Sequence, residues 1–163
     1  MSKSLKNAIK LPDLLKGSSI IELLITVGIL ATITALAGPS FRPVITKHQT
    51  MDAAQNLADA LSLARNEALA NGIGISVNAN NGDWQEGWQT IYSANGNLFK
   101  RYQAMQQSLN IVDSQTTVQF DNLGRTVAPA SFEFSNTAAA NTQPPLCVRV
   151  MRSGIVEIDK AAC

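Results

Sequence analysis

The sequence is poor in the residues that build most catalytic and metal sites. It contains one histidine, His48, and two cysteines among 163 residues. A three-histidine or four-cysteine metal site therefore cannot be assembled within one chain. A Ser-His-Asp arrangement would have to use His48, and no paired-carboxylate or phosphate-loop pattern stands out. We expect neither an enzyme nor a bound cofactor or metal ion.

Charged residues are also scarce. They make up 15% of the chain against 45% hydrophobic residues, and the formal net charge is +1. This composition excludes a disordered chain and also a strongly basic protein that coats nucleic acid. The length is that of one globular domain. The small net charge hides an asymmetry, because residues 1–17 hold four lysines and one aspartate, or +3, whereas the remainder carries −2.

A long apolar run follows this basic stretch, and Glu22 is the only charged residue within residues 20–38. As a helix the run would span roughly 28 Å, close to the hydrocarbon thickness of a bilayer, and its basic flank should stay cytoplasmic. An ordinary signal peptide, suggested by Ala35-Leu36-Ala37, and a plain membrane anchor remain alternatives. Inserting a carboxylate into a membrane helix costs about 2.5–3.5 kcal/mol of free energy on insertion scales. This cost favours a third interpretation, in which Glu22 has a required function.

The junction before the run resembles a known processing site. Lys16-Gly17-Ser18-Ser19-Ile20-Ile21-Glu22-Leu23-Leu24-Ile25 is similar to the class III leader junction of type IV prepilins and type II secretion pseudopilins. The resemblance implies a leader over 1–17, cleavage between Gly17 and Ser18 by a prepilin peptidase, and N-methylation of Ser18, where the family usually has phenylalanine. It also implies a transmembrane and filament-core helix over 18–39, in which Glu22 pairs with the free amine of a neighbouring subunit during assembly.

The following sequence predicts an α+β head over 40–163. Apolar residues recur at helical spacing from Val44 to Asn71, and with the apolar run they predict one helix over 19–70 that stops at Asn71-Gly72. Eight short β-type runs separated by turn residues then predict an antiparallel sheet packed on this helix. The predicted strands are 73–77, 88–92, 98–102, 109–112, 118–120, 131–134, 146–151 and 155–158.

Two motifs in the head narrow the resemblance to the GspH/FimT pilin-like family. Trp84-Gln85-Glu86-Gly87-Trp88 is similar to the tryptophan-x-x-glycine-tryptophan strand of that family, and Phe120-Asp121-Asn122-Leu123-Gly124-Arg125 matches its phenylalanine-then-glycine turn. Both tryptophans are expected in the core, with Gly87 permitting a turn between them. The resemblance implies the pilin-like fold.

The same resemblance implies a structural role. A chain of this type is a minor pilin that assembles with other minor and major pilins at or near the tip of a type IV pilus, or a type II secretion pseudopilin. It is made as a single-pass inner-membrane precursor with its head in the periplasm and ends on the cell surface. Because that location is oxidising, Cys147 and Cys163 most simply form one disulfide, which would close a loop of about 17 residues.

DNA binding is the alternative from a different class. Some FimT-type members act as DNA-uptake receptors through a Gly-Arg-x-Arg motif in the final hairpin, but this sequence has Gly154-Ile155-Val156-Glu157 there. The candidate DNA-contacting residues are Arg125, Arg149, Arg152 and Lys160. The head has few basic residues and a negative net charge, which does not favour this alternative, because affinity for phosphate grows with the number of cations that converge on it.

Overall fold

The computed structural model describes residues 19–37, 42–103, 105, 108–137 and 143–163. The chain divides into two compact units, Met1–Ser40 and Phe41–Cys163. The predicted leader, including the cleavage site at Gly17 and Ser18, lies outside the described residues.

The first unit contains helix α1 (Ile20–Ala37). Glu22 is the only charged residue of the helix, and the side chains from Ile20 to Ala35 are exposed on every face. Within the part of the chain that the structure describes, no helix is both long enough and apolar enough to cross a membrane.

The second unit begins with helix α2 (Arg42–Asn71). Most of its apolar positions form one buried face, and the residues without any exposed area are Ala54, Leu57, Leu61, Ala64 and Ala68. The helix ends where the sequence predicted, because Gly72 takes a φ of 65° and the N–H of Ile73 donates to the Ala68 carbonyl at 3.3 Å. Residues 38–41 lie outside the described residues, so the prediction of one helix over 19–70 is confirmed for 20–37 and 42–70.

Eight strands follow α2 in the described part of the chain, and each overlaps one predicted run. They are β1 (Ile75–Asn80), β2 (Asp83–Tyr92), β3 (Leu98–Tyr102), β4 (Leu109–Asp113), β5 (Thr117–Phe120), β6 (Ala130–Asn136), β7 (Leu146–Val150) and β8 (Val156–Asp159). The expected antiparallel sheet is divided into two four-stranded sheets, with strand orders β3-β2-β1-β5 and β4-β6-β7-β8. The division arises because β4 pairs with β6, whereas β5 pairs with β1. The chain therefore passes from one sheet to the other both before and after β5.

Helix α2 packs on both sheets, and aromatic side chains join the sheets to each other. Trp84 of β2 meets Phe132 of β6 edge-on, with ring centroids 4.8 Å apart. Trp84 also donates its indole N–H to the Gln115 carbonyl at 2.9 Å. Trp88 lies on the same strand, with its ring centroid 6.2 Å from that of Trp84. Both tryptophans are buried, which confirms their predicted place in the core.

Gly87 lies inside β2 and does not separate the two tryptophans by a turn, so that expectation was wrong. Its φ is 89°, and a Cβ at this position would meet the Tyr102 carbonyl oxygen and approach the carbonyl carbon of Gln103 to 2.7 Å. Glycine is required because β2 bends and comes close to the backbone that follows β3.

We predict that Gly87→Ala destabilises the head by about 3 kcal/mol or more, because a Cβ there combines an unfavourable φ with a backbone collision. Gly82→Ala is the matched control. Gly82 has a φ of 82° with no neighbouring atom within 4 Å of a Cβ, so its substitution should cost only about 1–2 kcal/mol. Urea unfolding of a fragment comprising residues 42–163 measures both changes. Equal losses for the two variants would contradict the close approach at Gly87.

Candidate functional site

Glu22 is the one charged group of α1 and lies in the first turn of the helix, where the helix dipole favours a carboxylate. The helix threonines need no outside partner, because their hydroxyls donate to carbonyls of the preceding turn; Thr26, for example, reaches the Leu23 oxygen at 2.8 Å. Glu22 makes no ion pair or side-chain hydrogen bond with the residues that the structure describes. The Glu22 side chain is exposed.

Cys147 of β7 and Cys163, which lies beyond the end of β8, form a disulfide, as predicted. Cys147 is fully buried and Cys163 is exposed. The backbone N–H of Cys163 also donates to the Glu133 carboxylate on β6 at 3.1 Å. The bridge therefore attaches the segment after β8 to the middle of the second sheet.

The four basic residues singled out in the sequence occupy different places. Arg149 lies in β7 and pairs with Asp159 at 3.2 Å, while Lys160 follows β8 and is exposed. Arg125 and Arg152 belong to two separate turns that the fold brings together. The link is Thr126, whose N–H donates to the Arg152 carbonyl at 3.2 Å.

The first of these turns, residues 121–125, is organised by Asp121. One carboxylate oxygen of Asp121 accepts the backbone N–H groups of Leu123 and Arg125 at 2.9 and 2.8 Å, and the other accepts the Arg125 guanidinium at 3.1 Å. These interactions, led by the hydrogen bond from the Arg125 backbone, lower the pKa of Asp121. Asp121 therefore stays ionised at neutral pH and orients Arg125.

The second turn, residues 151–155, interlocks with the first through two buried glycines. Gly124 and Gly154 have φ angles of 67° and 78°, and a Cβ on Gly154 would collide with the Gly124 carbonyl oxygen. Arg65 of α2 donates its Nε–H to the same oxygen at 3.1 Å. The sequence indicated both turns but not Arg65, because a partly buried arginine on a helix looks like an ordinary surface residue.

A cleft of about 370 Å³ lies beside α2, with a lining that includes Asp52, Trp88 and Tyr102. The buried indole N–H of Trp88 has no hydrogen-bond partner among the described residues. Asp52 is the only carboxylate among the described lining residues. Across the described ranges, no group of three or more His, Cys, Asp and Glu side chains is arranged to hold a metal ion.

Comparison with known proteins gives a consistent result. A family model described as type II transport protein GspH matches residues 53–154. The structure is similar to the type IV minor pilin FimU of Pseudomonas aeruginosa, with a TM-score of 0.61 and 19% identity, covering 69% of this chain and 90% of FimU. It is also similar to the minor pseudopilin EpsH of the Vibrio cholerae type 2 secretion system, with a TM-score of 0.54 and 12% identity, covering 69% of this chain and 97% of EpsH.

A search of curated proteins found no significant match. At these identities the two structural similarities show a shared fold. They confirm the expected α+β architecture of a helix packed on antiparallel strands.

We predict that Cys163→Ala destabilises the head by about 3 kcal/mol, because the bridge restricts a loop of this size in the unfolded chain. The sequence separation of the two cysteines is 16. Urea unfolding of the residue 42–163 fragment with and without dithiothreitol measures the effect. Reduction should destabilise the unsubstituted fragment by a similar amount and leave Cys163→Ala unchanged; equal sensitivity of the two proteins to reduction would contradict this account.

Proposed function

The chain belongs to the type II transport protein GspH family, whose model matches residues 53–154, and we propose that it is a minor pilin. In this role it is a structural subunit at or near the tip of a type IV pilus and takes part in pilus assembly. It functions by binding other pilins and not by catalysis. The fold that it shares with the minor pilin FimU is consistent with this role.

The observation that carries the proposal is the exposed apolar surface of α1. All its described side chains are exposed, and apolar residues occur on every face of the helix. A helix that is apolar all round needs lipid or other apolar helices around it. A membrane before assembly and a filament core afterwards would each supply that cover. The described helix α1 by itself is not long and apolar enough to cross a membrane, and the longer segment 18–39 is proposed to serve in both.

Glu22 would provide the specificity of assembly. After cleavage between Gly17 and Ser18, the new amino group would be N-methylated and remain positively charged. The amine of one subunit would then pair with the Glu22 carboxylate of its neighbour, because an unpaired charge is costly in an apolar surrounding. This pairing would set the axial register of the subunits.

The proposed route of the protein follows from these steps. The precursor would sit in the inner membrane with its head in the periplasm, a prepilin peptidase would remove residues 1–17, and the mature subunit would join the pilus. The disulfide between Cys147 and Cys163 suits the oxidising periplasm.

The second candidate is a type II secretion pseudopilin, which would use the same processing and pairing in a different machine. The description of the matching family model and the shared fold with EpsH favour it. Deleting the protein separates the two candidates: a minor pilin is needed for surface pili, whereas a pseudopilin is needed for release of secreted proteins.

DNA binding by the head remains the less favoured alternative. Two of the four candidate residues, Arg125 and Arg149, are engaged by carboxylates at 3.1 and 3.2 Å. An ion pair reduces the charge that an arginine offers to a phosphate.

We predict that the mature protein begins at Ser18 and carries an N-methyl group. Mass spectrometry of the protein purified from its own cells measures both features, and a strain without the prepilin peptidase should retain residues 1–17. A mature chain that begins at Gly38 would contradict the prepilin assignment and restore the ordinary signal peptide.

We predict that Glu22→Ala leaves the protein in the membrane but removes most of it from pili, because the amine of the neighbouring subunit loses its carboxylate partner. Immunoblots of membranes and of sheared pili measure the distribution. Thr26→Ala is the matched control in the same helix, since its hydroxyl bonds only within α1 at the Leu23 carbonyl, and it should be incorporated normally. Normal incorporation of Glu22→Ala would rule out the proposed pairing.

A further inference from the structure

The interlocked turns lie within a larger surface, which we call the twin-turn surface. It consists of five apolar residues, Leu69, Leu123, Val127, Met151 and Ile155, and three basic residues, Arg65, Arg125 and Arg152. The apolar side chains are from 36% exposed at Met151 to 67% exposed at Val127. Soluble proteins seldom expose a group of large apolar side chains without a binding role.

The surface is built from three parts of the chain that lie close together. Gly124 packs against Leu69, since a Cβ there would lie 2.8 Å from the Leu69 side chain. Thr126 bonds the second turn through the carbonyls of Met151 and Arg152, each at 3.2 Å. Three separate segments therefore meet at one place on the head.

The backbone beneath this face is well supported. Asp121 holds the first turn with three hydrogen bonds, and the N–H of Gly154 closes the second by donating to the Met151 carbonyl at 2.8 Å. Arg65 donates to the carbonyl oxygen of the glycine that joins the two turns. A surface that is already ordered loses less entropy when it binds a partner.

The charges of this surface indicate the chemistry of its partner. The surface contains three arginines, and one carboxylate, that of Asp121, pairs with Arg125; these four side chains together carry a formal charge of +2. Arginine and methionine beside apolar side chains are typical of protein interfaces, whereas nucleic-acid interfaces are more polar. A second copy of this chain in a two-fold contact would oppose the same arginines, which is unfavourable.

We propose that the twin-turn surface docks a different subunit of the same filament, one that presents carboxylates around an apolar patch. The inference rests on the proposed pilin function and adds a contact made by the head. The surface lies beside two edge strands, β5, which ends at the first turn, and β8, which begins after the second turn. The strands at the opposite edges of the two sheets, β3 and β4, are not part of the twin-turn surface.

The test uses the full chain in cells that assemble the filament. The photo-cross-linker p-benzoylphenylalanine replaces Leu123, and in a control chain it replaces Val112, which is 58% exposed on the opposite edge strand β4. Illuminated filaments should give an adduct at position 123 with another pilin subunit, identified by mass spectrometry, and little adduct at position 112.

A charge change then tests the complementarity. In the chain that carries the cross-linker at position 123, the further substitution Arg152→Glu should reduce the yield of the adduct by roughly fivefold, because the reversed charge repels an acidic partner. Arg152→Lys should retain the adduct. Formation of the disulfide between Cys147 and Cys163 in each variant shows that the head is folded.

The other outcomes overturn the inference in distinguishable ways. If the chain is present in filaments but position 123 gives no more adduct than position 112, or Arg152→Glu has no effect, the docking surface is wrong while the pilin function stands. The inference is also overturned if nuclease removes the adduct, which would show a nucleic acid as the partner, or if the adduct contains a second copy of this chain. If the chain is absent from filaments and its deletion leaves assembly intact, the proposed function fails, and the docking surface fails with it.

Discussion

The fold depends on the contact between the small-residue face of α2 and two sheets. Ala54, Ala64 and Ala68 are fully buried on this face, and their short side chains allow strands to pack closely against the helix axis. Leu57 and Leu61 are fully buried in the same core cluster. Because one helix covers both sheets, neither sheet needs a separate helix to bury its inner face.

This arrangement determines where the head can display loops. The strands β5 and β8 lie at edges of their respective sheets, and the turns that adjoin them lie against α2, with Gly124 beside Leu69 and Gly154 beside Arg65. Gly124 and Gly154 make the contact between the turns possible, since a Cβ on Gly154 would collide with the Gly124 carbonyl oxygen and a Cβ on Gly124 would meet the Leu69 side chain. The twin-turn surface is therefore a product of core packing, although most of its residues are exposed.

The two units of the chain present different kinds of exposed apolar surface. In α1 the apolar residues cover every face, and Glu22 is the only charge. In the head the exposed apolar residues of the twin-turn surface are mixed with arginines that carboxylates and carbonyls hold in place. The first kind suits a lipid or helical environment, and the second suits a specific protein partner.

Local patterns in the sequence predicted helical structure over 20–37 and 42–70, the eight strands, the stop at Gly72 and the burial of Trp84 and Trp88, because periodicity and turn residues act over short distances. The cysteine pair was predictable because only one pairing exists. The sequence could not predict two sheets in place of one, the bend at Gly87 or the meeting of Arg65 with Gly124. Those features depend on which strands pair and which turns touch, and such contacts join residues that are far apart in the chain.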